Sequence, residues 1–191
     1  MKVTREQILE TARKHFARAG YRQTSLAAIA EELGVVKGAL YYHVPGGKKE
    51  MFDAVVSQEE AFIIEQMTAA AHGEADACRA LRAAIRAKIA VLRRRRQEMG
   101  VSEDVLEEIK MIVSSEVRPF HGQELTLFEQ VLAKGVEQGC VRVLPDPRVA
   151  STAIQALVRH VEMQEAYQRE GSPQLEALLD LLEFGLARRE E

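Results

Sequence analysis

The sequence predicts an all-α protein of about nine helices, an N-terminal three-helix helix-turn-helix unit followed by a larger helical domain. Three observations carry that prediction. Apolar residues recur at three- and four-residue spacing along most of the chain. Ala, Leu, Glu, Arg and Gln, which favour helix, are abundant. The periodic stretches are punctuated by helix-ending or helix-opening signals: Gly20, Gly34, Gly73, Gly100, Gly139, Arg118-Pro119, Asp146-Pro147 and Ser172-Pro173.

The first helix opens at Thr4 as N-cap, with Gln7 in capping-box position. Ile8, Leu9, Ala12, Phe16 and Ala19 form its apolar side, and Gly20 stops it. Thr24 is suited to cap a second helix carrying Leu26, Ile29, Ala30 and Leu33, which Gly34 closes. A third helix runs from about Val36 to Val44, where Pro45-Gly46-Gly47 breaks it. These three helices are too small to be stable alone and should lean on the rest of the chain. A longer helix spans about Lys48 to Ala71, and the next carries Leu81, Ile85, Ile89 and Leu92 with Arg93 to Arg96 near its C-terminal end. Ser102 caps a sixth, with Glu103 and Asp104 in its first turn. Leu125, Phe128, Val131, Leu132 and Val136 define a seventh, and the two X-Pro pairs at Asp146 and Ser172 open the last two. Cys140 to Leu144 is the only β-like patch and is too short and isolated to pair.

Composition narrows the function classes. Net charge is −3, which argues against a general nucleic-acid binder, yet residues 1 to 52 carry nine Lys or Arg against five Glu. A basic N-terminal quarter on an acidic body is a localised electrostatic footprint. The charged start leads straight into an amphipathic helix, and no run approaches the ~18 apolar residues of a membrane span. The expectation is a cytoplasmic protein with no membrane partner. Cys78 and Cys140 make no metal motif and no disulfide framework, and the five histidines are dispersed, so no metal site is expected. No catalytic dyad, triad or cofactor loop is visible, so neither an enzyme nor a cofactor is expected. The Gly-Gly-Lys at 46–48 lacks the spacing of a nucleotide loop, since Lys49 follows it, Tyr42 stands in place of the first glycine and no strand precedes it.

A short helix, a tight turn and a second helix with a slim, positively charged start is a shape that fits a major groove. Lys37, Gly38 and Ala39 lie at the leading edge of that second helix, where Lys suits guanine and Ala a thymine methyl. Gly20-Tyr21, Thr24-Ser25, Ile29-Ala30, Gly34-Val35, Lys37-Gly38, Leu40-Tyr41 and His43 together resemble the TetR family of bacterial transcriptional regulators, in detail over about residues 5 to 56. The resemblance implies a helix-turn-helix DNA-binding domain over residues 1–47 and a helical effector-binding and dimerisation domain over residues 48–191. It implies a homodimer, a roughly palindromic double-stranded DNA operator and a small-molecule effector. It also implies phosphate contacts from Thr24, Ser25, Tyr41, Tyr42 and His43, with Lys48 or Lys49 supplying another. Leu40 should face inward. The chain departs from the family pattern at Val36, where Ser or Thr usually caps the third helix, at Val44, often Phe, and in a loop one residue longer at 45–50.

In the larger domain the candidate lining of an effector pocket is Ile85, Ile89, Met111, Phe120, His121, Phe128, Leu132, Ile154 and Leu157. Polar neighbours Glu116, Arg118, Gln155 and His160 are candidates to orient a ligand. The last helix has a wide leucine face of Leu175, Leu178, Leu179, Leu182 and Leu186, with Leu181 beside it. With Ile154, Leu157, Val158 and Val161 it suits a four-helix contact across a two-fold axis. The expected function is a ligand-responsive transcriptional repressor released from its operator by a small hydrophobic effector. The alternative is a helical ligand-binding protein or enzyme that retains the helix-turn-helix unit as scaffold.

Overall fold

The computed structural model describes residues 3–114, 118–165 and 173–187. Among them the chain forms nine helices: α1 (Arg5–Gln23), α2 (Leu26–Glu32), α3 (Lys37–His43), α4 (Gly47–His72), α5 (Ala77–Met99), α6 (Glu103–Ser114), α7 (Pro119–Gln138), α8 (Pro147–Glu165) and α9 (Pro173–Leu186). The chain divides into two compact units, one of Met1–Ala61 with Arg95–Val117, the other of Phe62–Arg94 with Arg118–Glu191.

The expected caps are mostly in place. Gln7 N–H donates to Thr4 Oγ1 at 3.2 Å while Thr4 N–H donates to Gln7 Oε1 at 2.9 Å, which satisfies two donors that α1 would otherwise leave open. Asp146 Oδ1 accepts from the N–H groups of Arg148 and Val149 ahead of α8. Ser102 Oγ accepts from Val105 N–H at the start of α6. Ser172, the expected opener of α9, lies outside the described residues.

Two expectations change at this level. Gly20 ends only the regular part of α1, because the chain passes through it at φ 73° and resumes a helical turn to Gln23. The patch after Gly139 does pair, through one bridge between Val141 and Ala187 and a hydrogen bond from Arg142 N–H to Leu186 O.

The first unit is built around Ile8, Leu9, Phe16, Ile29, Leu40, Val44, Met51 and Phe52, all buried. Phe16 and Tyr21 both meet Phe52 edge-on, with centroids 5.2 and 5.0 Å away, and such ring pairs each add about 0.5–1.5 kcal/mol to the area term. Three short helices cannot bury that set, so the unit extends past residue 47 into α4 and takes in α6, which packs on α1 and adds Ile109, Ile112 and Val113. In the second unit α7 packs on α8 and α8 on α9 around Phe128, Leu132, Ile85, Val158 and Leu179. Arg82 reaches from α5 to Glu176, Asp180 and Glu183 of α9 at 2.8–2.9 Å, and its hydrogen bond to Asp180 leads the influences that raise its pKa.

Candidate nucleic-acid interface and ligand site

Burial orients α2 and α3. Leu26, Ile29, Leu40 and Val44 face the core of the first unit, the last three with no exposed surface, so the opposite sides of both helices face outward. Ser25, not Thr24, caps α2: its hydroxyl accepts from Ala28 N–H at 3.1 Å. Thr24 is buried and its hydroxyl donates to Gly20 O at 2.6 Å, so the side chain expected at a phosphate is committed inward. The sequence places two hydroxyls side by side, and the two roles separate only once the α1 terminus is in place.

Leu33 ends α2, Gly34 turns the chain at φ 65°, and Val35 N–H returns to Ala30 O at 2.9 Å. An L-residue meets a steric cost at that φ that glycine avoids. Val36 occupies the N-cap position of α3 with no side-chain hydrogen bond, and the helix begins at Lys37 all the same. Its outer surface carries Val36, 76% exposed, Tyr42, 82% exposed, and Tyr41, 43% exposed, beside exposed Lys37 and Gly38. A Cβ added at Gly38 would meet nothing within 4 Å. Ala39 and His43 are half-buried, and the His43 ring stands edge-on to Tyr42 at 5.2 Å.

The two candidate lysines divide. Lys48 Nζ donates to Tyr21 O, Arg22 O and Thr24 O at 2.9, 3.2 and 3.0 Å and sits 4.6 Å from the centre of the Tyr21 ring. It satisfies the carbonyls at the α1 terminus, so Lys48 is an internal clamp and not the phosphate contact expected of it. Lys49 pairs with Asp53 at 2.7 Å on the exposed side of α4. Successive helical residues point about 100° apart, so only one of the pair can face α1. A second clamp was not visible in sequence. Glu108 of α6 accepts from Arg22 N–H at 2.8 Å and lies where any Cβ on Gly20 would stand.

The expected lining of the larger domain separates into three groups. Ile85, Ile89, Phe120, Phe128, Leu132 and Ile154 are packed core of the second unit, and His121 is half-buried beside Phe120. Leu157 is 49% exposed, on the face of α8 turned away from that core. Met111 is 59% exposed and belongs to the first unit. Of the polar neighbours, Arg118 and Gln155 are buried, His160 is exposed and Glu116 lies outside the described residues.

The more informative group is polar, and sequence reasoning mostly missed it. Lys88 and Glu124, 3% and 1% exposed, form an ion pair at 2.7 Å inside the apolar core. Lys88 also meets Glu162 at 2.9 Å and lies 5.2 Å from the Phe120 ring centre. Gln155 Nε2 donates to Glu124 Oε2 and to His121 O, both at 2.9 Å. Burial, the largest single influence, pulls the Lys88 pKa down, but Glu162 and Glu124 together outweigh it and leave it raised. The side chains come from α5, α7 and α8, and no local spacing connects Lys88 with Glu124, 36 positions away.

The expected dimer contacts also need correction. Ile154, Val158, Val161, Leu175, Leu178, Leu179 and Leu186 are buried within a single chain, and Leu182 is half-buried against the same core. The exposed apolar side chains of α8 and α9 include Leu157, Leu181 and Phe184, the last two 72% and 78% exposed. The wide leucine face of α9 therefore serves two surfaces.

Residues 8–55 match the model of the bacterial regulatory proteins of the tetR family. The HTH-type transcriptional regulator LmrA of Bacillus subtilis is 39% identical over 64 residues, which make up 34% of this chain and 34% of that protein. The match thus spans about a third of that relative's length. Solved structures extend the likeness in fold. A TetR-family regulator from Pectobacterium atrosepticum superposes with a TM-score of 0.68 at 22% identity, over 98% of this chain and 95% of that one. A regulator from Saccharomonospora viridis, solved in complex with choline, gives 0.66 at 22% identity, over 97% and 98%. Residues 8–55 thus match the N-terminal segment of the tetR family of bacterial regulatory proteins, and nearly the whole chain shares the fold of a solved TetR-family structure.

Proposed function

We propose that the protein is a ligand-responsive transcriptional regulator, acting as a repressor that binds a palindromic operator as a dimer. One observation carries the DNA-reading part: α3 has a fully buried face in Leu40 and an outer face of Lys37, Gly38, Tyr41 and Tyr42 that the rest of the fold leaves exposed. A short helix with small residues and one cation at its leading end suits a major groove. Lys37 and half-buried Ala39 are the base-reading candidates. Ser25, Tyr41, Tyr42, His43 and Lys49 are the phosphate candidates, and Thr24 and Lys48 support them from inside. The basic N-terminal quarter supplies the sequence-independent attraction.

Two recognition helices read successive grooves when they stand about 34–36 Å apart. Leu157, Leu181 and Phe184 of two copies are the proposed contact that sets this separation. The effector site is proposed in the second unit, at Lys88, Glu124, Gln155 and Glu162 with Phe120 beside them. A buried ion pair in an apolar core suits a ligand with an apolar body and one polar end, which would compete for those hydrogen bonds. An effector that prefers a dimer with altered spacing weakens operator affinity by the same factor that DNA weakens effector affinity. An electrophoretic shift of the DNA upstream of the protein's own coding sequence, repeated with small amphipathic ligands, tests the reading. A shift that one ligand reverses is expected. Ligand and DNA binding independently of each other would end the ligand-responsive part.

A further inference from the structure

Three metal-ligating side chains distant in sequence meet where α5 begins and α7 ends. Asp76 precedes α5, Cys78 lies in its first turn, and Cys140 follows Gly139, the left-handed residue that closes α7. One donor atom from each lies within 4.8 Å of the other two, and all three residues are half-buried. A fourth donor stands beside them. Gln138 Oε1 is 3.9 Å from Cys140 Sγ, and the same amide donates through Nε2 to Ala75 O at 2.9 Å. The constellation is held by backbone packing. A Cβ on Gly135 would stand 2.9 Å from Ala77 Cβ, so the end of α7 lies directly against the start of α5. Cys78 and Cys140 are 62 positions apart, which is why no spacing motif reveals them.

The donor set has the character of a soft-metal site. Around a tetrahedral ion with metal–sulfur bonds of about 2.3 Å, neighbouring donors stand roughly 3.5–4 Å apart, so closure asks about an ångström of movement. A divalent cation bound there would displace the thiol protons, since the thiolate is the metal ligand.

We propose that Asp76, Cys78 and Cys140 form a binding site for one thiophilic divalent metal ion of the zinc–cadmium class, with Gln138 Oε1 or water in the fourth position. On binding, each thiol gives its proton to solvent, two metal–sulfur bonds and one metal–oxygen bond form, and nothing is oxidised or reduced. The site does not depend on the DNA-binding reading, and a chain that binds no operator still binds the ion.

The test is titration of the reduced, chelator-treated full chain with Cd2+ and Zn2+, following the ultraviolet thiolate-to-cadmium band and the protons released. The band should saturate at one ion per chain with two protons released. Cys78→Ser and Cys140→Ser should each weaken binding by at least about tenfold to a hundredfold, the range that loss of even a supporting partner produces. Asp76 Oδ1 also accepts from Arg79 N–H at the start of α5, and Asp76→Asn keeps that cap while removing the carboxylate charge, so it should weaken binding with unchanged thermal stability. Binding that survives in both serine variants would overturn the proposal. So would reduced thiols that bind neither ion and are joined into a disulfide by peroxide.

Discussion

Single residues carry the sharpest differences between sequence and structure. Nothing in the local sequence sets Lys88 apart as a core residue, yet its pairing with Glu124 places two charges where water hardly reaches. Removing one partner leaves the other charge buried alone, so Lys88→Met should cost about 3–5 kcal/mol in denaturant unfolding. Replacing Glu124 by Leu in the same chain should recover most of that loss. The raised Lys88 pKa fixes a sign in pH as well. Its stabilisation is complete below the unfolded lysine value of about 10.4 and is lost as pH rises through the higher folded value. Wild-type stability should therefore fall in strong alkali by more than that of the Lys88→Met, Glu124→Leu pair, as thermal midpoints across pH would show. Lys48 and Lys49 make the same point in the DNA-binding unit. Lys48→Ala removes a charged donor from three carbonyls and should destabilise the fold by about 2–3 kcal/mol. Lys49→Ala should leave stability nearly unchanged, lower operator affinity for all sequences alike and reduce the salt slope by about one.

At the scale of elements, the nine helices of the described residues were legible, because apolar periodicity and X-Pro or glycine boundaries are local signals. What periodicity cannot supply is which neighbour covers a given face. The leucines of α9 form so wide a stripe that sequence alone assigns them to a partner. Arg82 and the α8 face instead hold Leu175, Leu178, Leu179 and Leu186 in the chain's own core. The helix α3 is legible in sequence along with its missing side-chain cap. With Val36 exposed and making no side-chain hydrogen bond, Val36→Thr should supply the cap and stabilise the protein by about 1 kcal/mol, seen as a raised thermal midpoint. The role of α6 was illegible for a different reason. Glu108 reaches the α1–α2 link across 86 positions, beside a glycine whose φ of 73° other residues adopt only with strain.

For the whole molecule, an exposed recognition helix, a buried polar cluster and an apolar outer surface combine into one ligand-controlled dimer in the proposed function. Phe184→Arg should yield a monomer at micromolar concentration with its fold intact, as sedimentation and circular dichroism would report. Leu179→Arg, at a position 1% exposed, should unfold the second unit instead. A dimer unaffected by Phe184→Arg would place the interface elsewhere. The proposal that α3 reads DNA sequence underlies the proposed function, and competition binding bears on it without intermediaries. The labelled upstream DNA is bound to the protein at several salt concentrations and displaced by variants of the site with single base-pair changes. Affinity should fall steeply with salt, and changes at the base pair met by Lys37 should cost the wild type about 1–3 kcal/mol and Lys37→Ala little. Wild-type and Lys37→Ala proteins with the same base preference at every position would show that α3 does not read sequence through Lys37.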